Sequence, residues 1–164
     1  MTINESSSQI ITQIAAQLTT QSKMLCTAES CTGGLIAKML TDMAGSSDWF
    51  DRGFITYSNQ AKMDMLGVQA ATLQQHGAVS EAVVQEMALG AIKNSGAQFS
   101  IAVTGIAGPG GATQGKPIGT VWFGFSLEQK VIAQHKVFSG DREQVREQSA
   151  RYALEAILQC LSSD

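Results

Sequence analysis

The sequence predicts an α/β fold, a single layered domain in which helices cover a mixed β-sheet. Three observations predict it. Runs with helical apolar spacing alternate with short apolar runs of strand length. The strand-like runs break at glycine-rich turns, where α/β chains change direction. No internal repeat, low-complexity tract or Pro/Ser-rich linker divides the 164 residues, and 44% of them are apolar, enough for one sizeable core. A short polar leader over residues 1–8 is expected, followed by one domain over 9–164.

Each element has its own local warrant. Ile10, Ile11, Ile14, Ala15 and Leu18 follow helical spacing. Residues 24–28 form a short, mostly apolar run that reads as a strand. It stops at Glu29-Ser30-Cys31-Thr32-Gly33-Gly34, and Leu35, Ile36, Met39, Leu40 and Met43 then mark an amphipathic helix. Residues 52–57 read as a second strand. Ser58 is placed to cap a helix over 59–66, and Ser80 a stronger one carrying Val83, Val84, Met87, Ala88, Ala91 and Ile92. Residues 99–104 are a third strand, running into a loop rich in glycine at 105–111. Residues 120–125 and 131–138 pair as a hairpin, and a long final helix starts at Asp141.

Composition excludes several classes of function. Eleven basic against 14 acidic residues give a formal charge of −3, so nothing draws the surface toward nucleic acid or anionic lipid. No apolar run approaches the ~18 residues of a membrane span, and residues 1–9 lack the pattern of a signal peptide. Three cysteines without CxxC spacing fit a reducing compartment, so a cytoplasmic location is expected. His76 and His135 are far apart and form no local ligand cluster; no metal and no cofactor are expected.

Four segments carry residue types suited to chemistry. Around Ser30, glycines let backbone N–H groups approach a ligand, and the start of a helix favours developing negative charge. A nucleophile there has an oxyanion site beside it; a glycine turn capped by Ser30 or Thr32 is the alternative reading. Cys31 is a second nucleophile candidate, or a small packed residue. With Ser58 as cap, Lys62 falls one turn into its helix, able to point back toward the strand end, with Tyr57 near enough to relay a proton or hold it. Lysine is a base only when neutral, which burial or nearby positive charge achieves; a solvated lysine and a packed tyrosine are the alternative. Thr104-Gly105-Ile106-Ala107-Gly108-Pro109-Gly110-Gly111 closes a strand where α/β sheets place ligands, but lacks the GK[ST] ending of a Walker loop. Arg142 and Arg146 share a helix face, suited either to gripping phosphate or to pairing with Glu143 or Glu147.

These segments together resemble the C-terminal domain family of the competence/damage-inducible CinA proteins, especially its stand-alone bacterial members, the nicotinamide-nucleotide amidases. The carrying stretches are AESCTGG at 28–34, AGSSDWFDRGFITYSNQAK at 44–62, HGAVSE at 76–81, TGIAGPGG at 104–111, KPIGTVWFGF at 116–125 and FSGDR at 138–142. They occur in order over most of the chain. The larger N-terminal domain of fused CinA proteins has no counterpart in this sequence, and its activity is not carried over.

The resemblance implies hydrolysis of the carboxamide of nicotinamide mononucleotide (NMN) to nicotinic acid mononucleotide and ammonia, which returns a breakdown product to the NAD pool. It implies Ser30 as nucleophile, Lys62 as base and Tyr57 as an aid to proton transfer. The N–H groups around Thr32, Gly33 and Gly34 are expected to hold the oxyanion. Thr104, Gly105, Gly108 and Arg142 are expected at the ribose-phosphate end. A homo-oligomer is a further expectation from the family. Two rivals stay open at this point: a non-catalytic nucleotide-binding module, and the same amidase with Cys31 as nucleophile.

Overall fold

The computed structural model describes residues 5–128 and 130–163; residues 1–4 of the expected leader lie outside them. Helix α1 (Ser7–Gln21) starts within the segment expected to be leader. Ser6 and Gln9 form a reciprocal capping box there, satisfying N–H groups that the first turn leaves open. The helix buries Ile10, Ile11, Ile14, Ala15 and Leu18, the stripe seen in the sequence.

Strand β1 (Leu25–Glu29) is buried along its whole length. Helix α2 (Leu35–Thr41) and a single 3-10 turn at Ser46–Asp48 lead into β2 (Phe50–Ile55). This strand lies two residues earlier than expected. Its pairing with β1 runs from Leu25↔Phe50 to Glu29↔Ile55, so the end of β1 sets the end of β2. Next come α3 (Asn59–Leu66), α4 (Ala70–His76) and α5 (Glu81–Lys93). Helix α4 was not anticipated, and it buries no residue, so it has no apolar stripe to detect. Strand β3 (Phe99–Gly105), the hairpin β4 (Thr120–Leu127) and β5 (Lys130–Val137), and the long α6 (Arg142–Ser162) complete the chain.

The five strands form one mixed sheet in the order β2-β1-β3-β4-β5. β1 is parallel to both neighbours, and the other two pairings are antiparallel. Side chains alternate between the sheet's two faces. Leu25, Ile101 and Val103 join a core with α1, α2 and α6, whereas Cys26, Ala28 and Ala102 join one under α3 and α5. The chain leaves β1 toward β2 on one side and later returns to β3 on the other. A crevice therefore opens beyond the C-terminal end of β1, the usual ligand position in such sheets. Helices α3 and α5 touch at Gly90, where a Cβ atom would fall 1.9 Å from the Leu66 carbonyl oxygen.

Candidate active site

Ser30 is the first residue beyond β1. Its N–H donates to the Val103 carbonyl of β3 (3.0 Å), which continues the sheet pairing by one step and fixes the residue. Lys62 reaches it from α3. The Ser58 hydroxyl caps that helix by accepting from Ala61 N–H at 3.0 Å, which puts Lys62 one turn in. The lysine is 1% exposed and Ser30 7%. Lys62 Nζ lies 2.9 Å from Ser30 Oγ and donates to the carbonyls of Thr56 at 3.0 Å and Tyr57 at 3.3 Å.

This surrounding disfavours the charged amine. No carboxylate is ion-paired to Lys62 among the described residues. Burial lowers its pKa below the ordinary lysine range, and Cys31 acts in the opposite sense only when ionised. Cys31 is itself pushed up to about 12 by burial, so at neutral pH it is an uncharged thiol and that opposition disappears. A neutral amine has two N–H groups and one lone pair. The two carbonyls can only accept, so an N–H goes to each; as an ammonium Lys62 also donates to Ser30 Oγ, and once neutral it has its lone pair for the Ser30 hydroxyl. Cys31 Sγ packs beside Gly105, where a Cβ would stand 3.0 Å from it.

A cavity of about 270 Å³ opens above the pair. Of the expected residues, Ser30, Tyr57, Lys62, Thr104, Gly105 and Arg142 line it, and so does Cys31, the rival nucleophile. The Arg142 guanidinium crosses its rim, donating to Gly108 O at 2.9 Å and to the Tyr57 hydroxyl at 3.0 Å. The Tyr57 phenol thus meets Arg142, and it is this residue's backbone carbonyl that meets Lys62 and Ser30. Thr104 is 1% exposed, and its hydroxyl donates to Ala78 O at 3.0 Å, tying β3 to the loop before α5.

Thr32, Gly33, Gly34 and Gly108 stand outside the lining. The Thr32 hydroxyl is turned inward onto Glu29 (2.7 Å). Gly33 N–H closes the turn on Ser30 O (3.1 Å), which leaves the Thr32 and Gly34 N–H groups without an acceptor among the described residues. Arg146 does not join Arg142 in facing the cavity. Its donors go to Cys31 O at 3.0 Å and Thr32 O at 3.3 Å, behind the turn. The start of α6 is also occupied, because Asp141 caps it by accepting from Gln144 N–H at 2.9 Å.

Sequence reasoning missed Asn59, Ala78 and Val79 in the lining, whereas Ala107 belongs to the glycine-rich loop it had singled out. Asn59 looked like an ordinary first helical residue, and Ala78 and Val79 have no chemistry to signal a site. Among the described residues, no three His, Cys, Asp or Glu side chains gather to hold a metal ion. No helix there is long and apolar enough to cross a membrane.

The pattern of the CinA C-terminal domain matches residues 7–161, nearly the whole chain. The chain belongs to the CinA C-terminal domain family. Among its CinA relatives, the nicotinamide-nucleotide amidohydrolase PncC of Escherichia coli (strain K12) is 51% identical over 152 residues, 92% of each chain. The protein of that name from Enterobacter agglomerans is 54% identical over 151 residues, again 92% of each chain. The crystal structure of the competence damage-inducible protein A (ComA) from Klebsiella pneumoniae superposes with a TM-score of 0.94 at 40% identity, covering 97% of this chain and 99% of that one. The single mixed-sheet α/β domain expected from the sequence is thus the architecture of this CinA family.

Proposed function

We propose that this chain hydrolyses the carboxamide of NMN to nicotinic acid mononucleotide and ammonia, with Ser30 as nucleophile and Lys62 as its base. The observation that carries the reading is the buried Lys62 amine, free of any carboxylate ion pair and 2.9 Å from Ser30 Oγ. The amidohydrolase names of the relatives supply the substrate.

The steps balance on this chain's own groups. Ser30 Oγ bonds to the carboxamide carbon as its proton passes to Lys62 Nζ. We assign the oxyanion to the open backbone N–H groups of the turn after Ser30, of which Cys31, unlike Thr32 and Gly34, lines the cavity. The ammonium of Lys62 then protonates the departing nitrogen, the C–N bond breaks, and ammonia leaves an ester on Ser30. Water attacks that ester, gives a proton to Lys62, and Ser30 recovers it as the acid departs. The carbonyls of Thr56 and Tyr57 keep the amine aimed throughout.

Arg142 is our assignment for the phosphate. Two of its five N–H groups are engaged with Gly108 and Tyr57, which fixes the guanidinium plane and leaves the others for an anion. Charge-assisted hydrogen bonds contribute ~1.5–3 kcal/mol each, so Arg142→Ala should raise KM for NMN by one to a few powers of ten. Arg142→Lys should recover only part of this, since lysine keeps the charge and loses the planar fork. Nicotinamide riboside, which lacks the phosphate, should be used poorly and almost equally by all three proteins. An equal loss on both substrates would place the phosphate elsewhere.

The reading as a whole is tested by incubating the purified protein with NMN and following ammonia and nicotinic acid mononucleotide together. Stoichiometric release of both is the expected result. Tight binding of NMN with no release would make the chain a nucleotide-binding module instead.

A further inference from the structure

Glu29 is wholly buried at the end of β1, next to the nucleophile, and the mechanism above leaves it without a task. Its carboxylate has a full set of donors. One oxygen accepts from the Thr32 hydroxyl at 2.7 Å and from Ile36 N–H at 2.9 Å. The other accepts from Ala37 N–H at 3.0 Å and from the Thr27 hydroxyl at 3.3 Å.

Ile36 and Ala37 are the second and third residues of α2, whose N-terminal flank, Gly34, has no side chain to cap them. A capping side chain normally sits at that flank and serves one of those N–H groups. Here Glu29 serves both from the sheet, across the turn that holds Ser30. The two ends of the turn are therefore tied by one carboxylate. On the other side, Arg146 holds the Cys31 and Thr32 carbonyls. The Glu29 main chain also reaches the base: its carbonyl accepts Thr56 N–H at 2.8 Å, and the Thr56 carbonyl in turn accepts from Lys62 Nζ at 3.0 Å.

We infer that Glu29 is a positioning residue for catalysis, one that holds the Ser30 turn, its free Thr32 and Gly34 N–H groups and the Lys62 carbonyl platform in a single reactive arrangement. The inference rests on Ser30 being the nucleophile but not on the identity of the substrate. Glu29→Gln disrupts the arrangement because an amide places an NH2 group where an oxygen must face a backbone N–H.

The test is the rate at which a fluorophosphonate labels Ser30, read by mass spectrometry on protein shown to be folded by circular dichroism. Displacement of a reactive group by about 1 Å costs roughly a hundredfold, so labelling of Glu29→Gln per folded molecule should slow by about that factor. Its kcat on NMN should fall in parallel, with KM nearly unchanged. A role in stability alone would lower the melting temperature and leave the labelling rate per folded molecule at the native value; that result overturns the inference. If Glu29→Gln does not fold, Thr32→Val decides the matter. It removes the 2.7 Å contact and keeps both backbone bonds. Slowed labelling supports the inference, and native-rate labelling ends it. Labelling of native Ser30 without ammonia from NMN would overturn the substrate and leave Glu29 in place. No labelling of native Ser30 would remove the nucleophile and the inference together.

Discussion

Ser30→Ala should lower kcat on NMN by about 10⁴-fold or more and leave the melting temperature nearly unchanged. The size follows from the loss of a covalent intermediate, for which the remaining oxyanion donors and binding contacts compensate only in part. Stability is largely spared because Lys62 keeps its two carbonyl acceptors when the hydroxyl and its 2.9 Å contact are lost, and the position of residue 30 depends on its backbone bond to Val103. Cys31→Ala is the paired control. Its thiol is buried, held protonated by a pKa near 12, and packed against Gly105, so most of the turnover should remain. Steady-state assays of the two variants check this directly. The opposite pattern would move the nucleophile one residue along the chain.

Lys62→Met should lower kcat by about 10²–10⁴-fold, the range a general base contributes. The native protein should show a rate that rises with pH and then levels, with its midpoint below the ordinary lysine value of 10.5 because burial disfavours the ammonium. The same shift has a consequence for stability, and its sign is fixed. Between the lowered native pKa and 10.5, the unfolded chain binds a proton that the folded chain does not. The Lys62 contribution to stability therefore rises with pH across that window, and its penalty is constant below it. The buried thiols of Cys31 and Cys26, pushed up from 9.0 to about 12 and about 11, contribute the opposite slope above about pH 9, so the Lys62 contribution is read by comparing native protein with the variant. Lys62→Met should lack that contribution, read as the difference between its thermal melts and those of the native protein at rising pH. Identical pH dependence of stability in the two proteins, or a native rate profile flat across the window, would show that the amine is not the titrating base.

The parts of this molecule that were readable in the sequence are those governed by neighbours along the chain. Ser58 and Ser80 cap the helices they were expected to cap, because a cap and its N–H partner lie three residues apart. The stripe of α1 and the β4–β5 hairpin were equally local. What escaped was set by distant partners. The bounds of β2 follow from its register with β1, which no feature of residues 50–57 encodes. Arg146 looked like a twin of Arg142 on one helix face, yet its partners are the carbonyls of Cys31 and Thr32, more than a hundred residues away. Tyr57 was expected to work through its hydroxyl. The contacts with Lys62 and Ser30 instead come from a backbone carbonyl, a group every residue has and no residue type announces. Glu29 gave a faint signal, an acidic residue closing an apolar run, but its use as a remote cap needed the turn to be folded before it could be seen.

The close approach at Gly90 reaches beyond packing. Leu66 ends α3 one turn after Lys62, and its carbonyl oxygen occupies the space that a methyl group at position 90 would need. Backbone cannot give way as a flexible side chain can, so Gly90→Ala must push α3 along or away from the sheet and carry the amine off its hydroxyl. A library of random substitutions screened for lost turnover should return position 90 alongside 30 and 62, although it is absent from the cavity wall. Distance from the pocket is then a poor guide to which changes the enzyme tolerates. The address of the base is set in part by a hydrogen atom on a neighbouring helix, at a place where every other residue would carry a carbon.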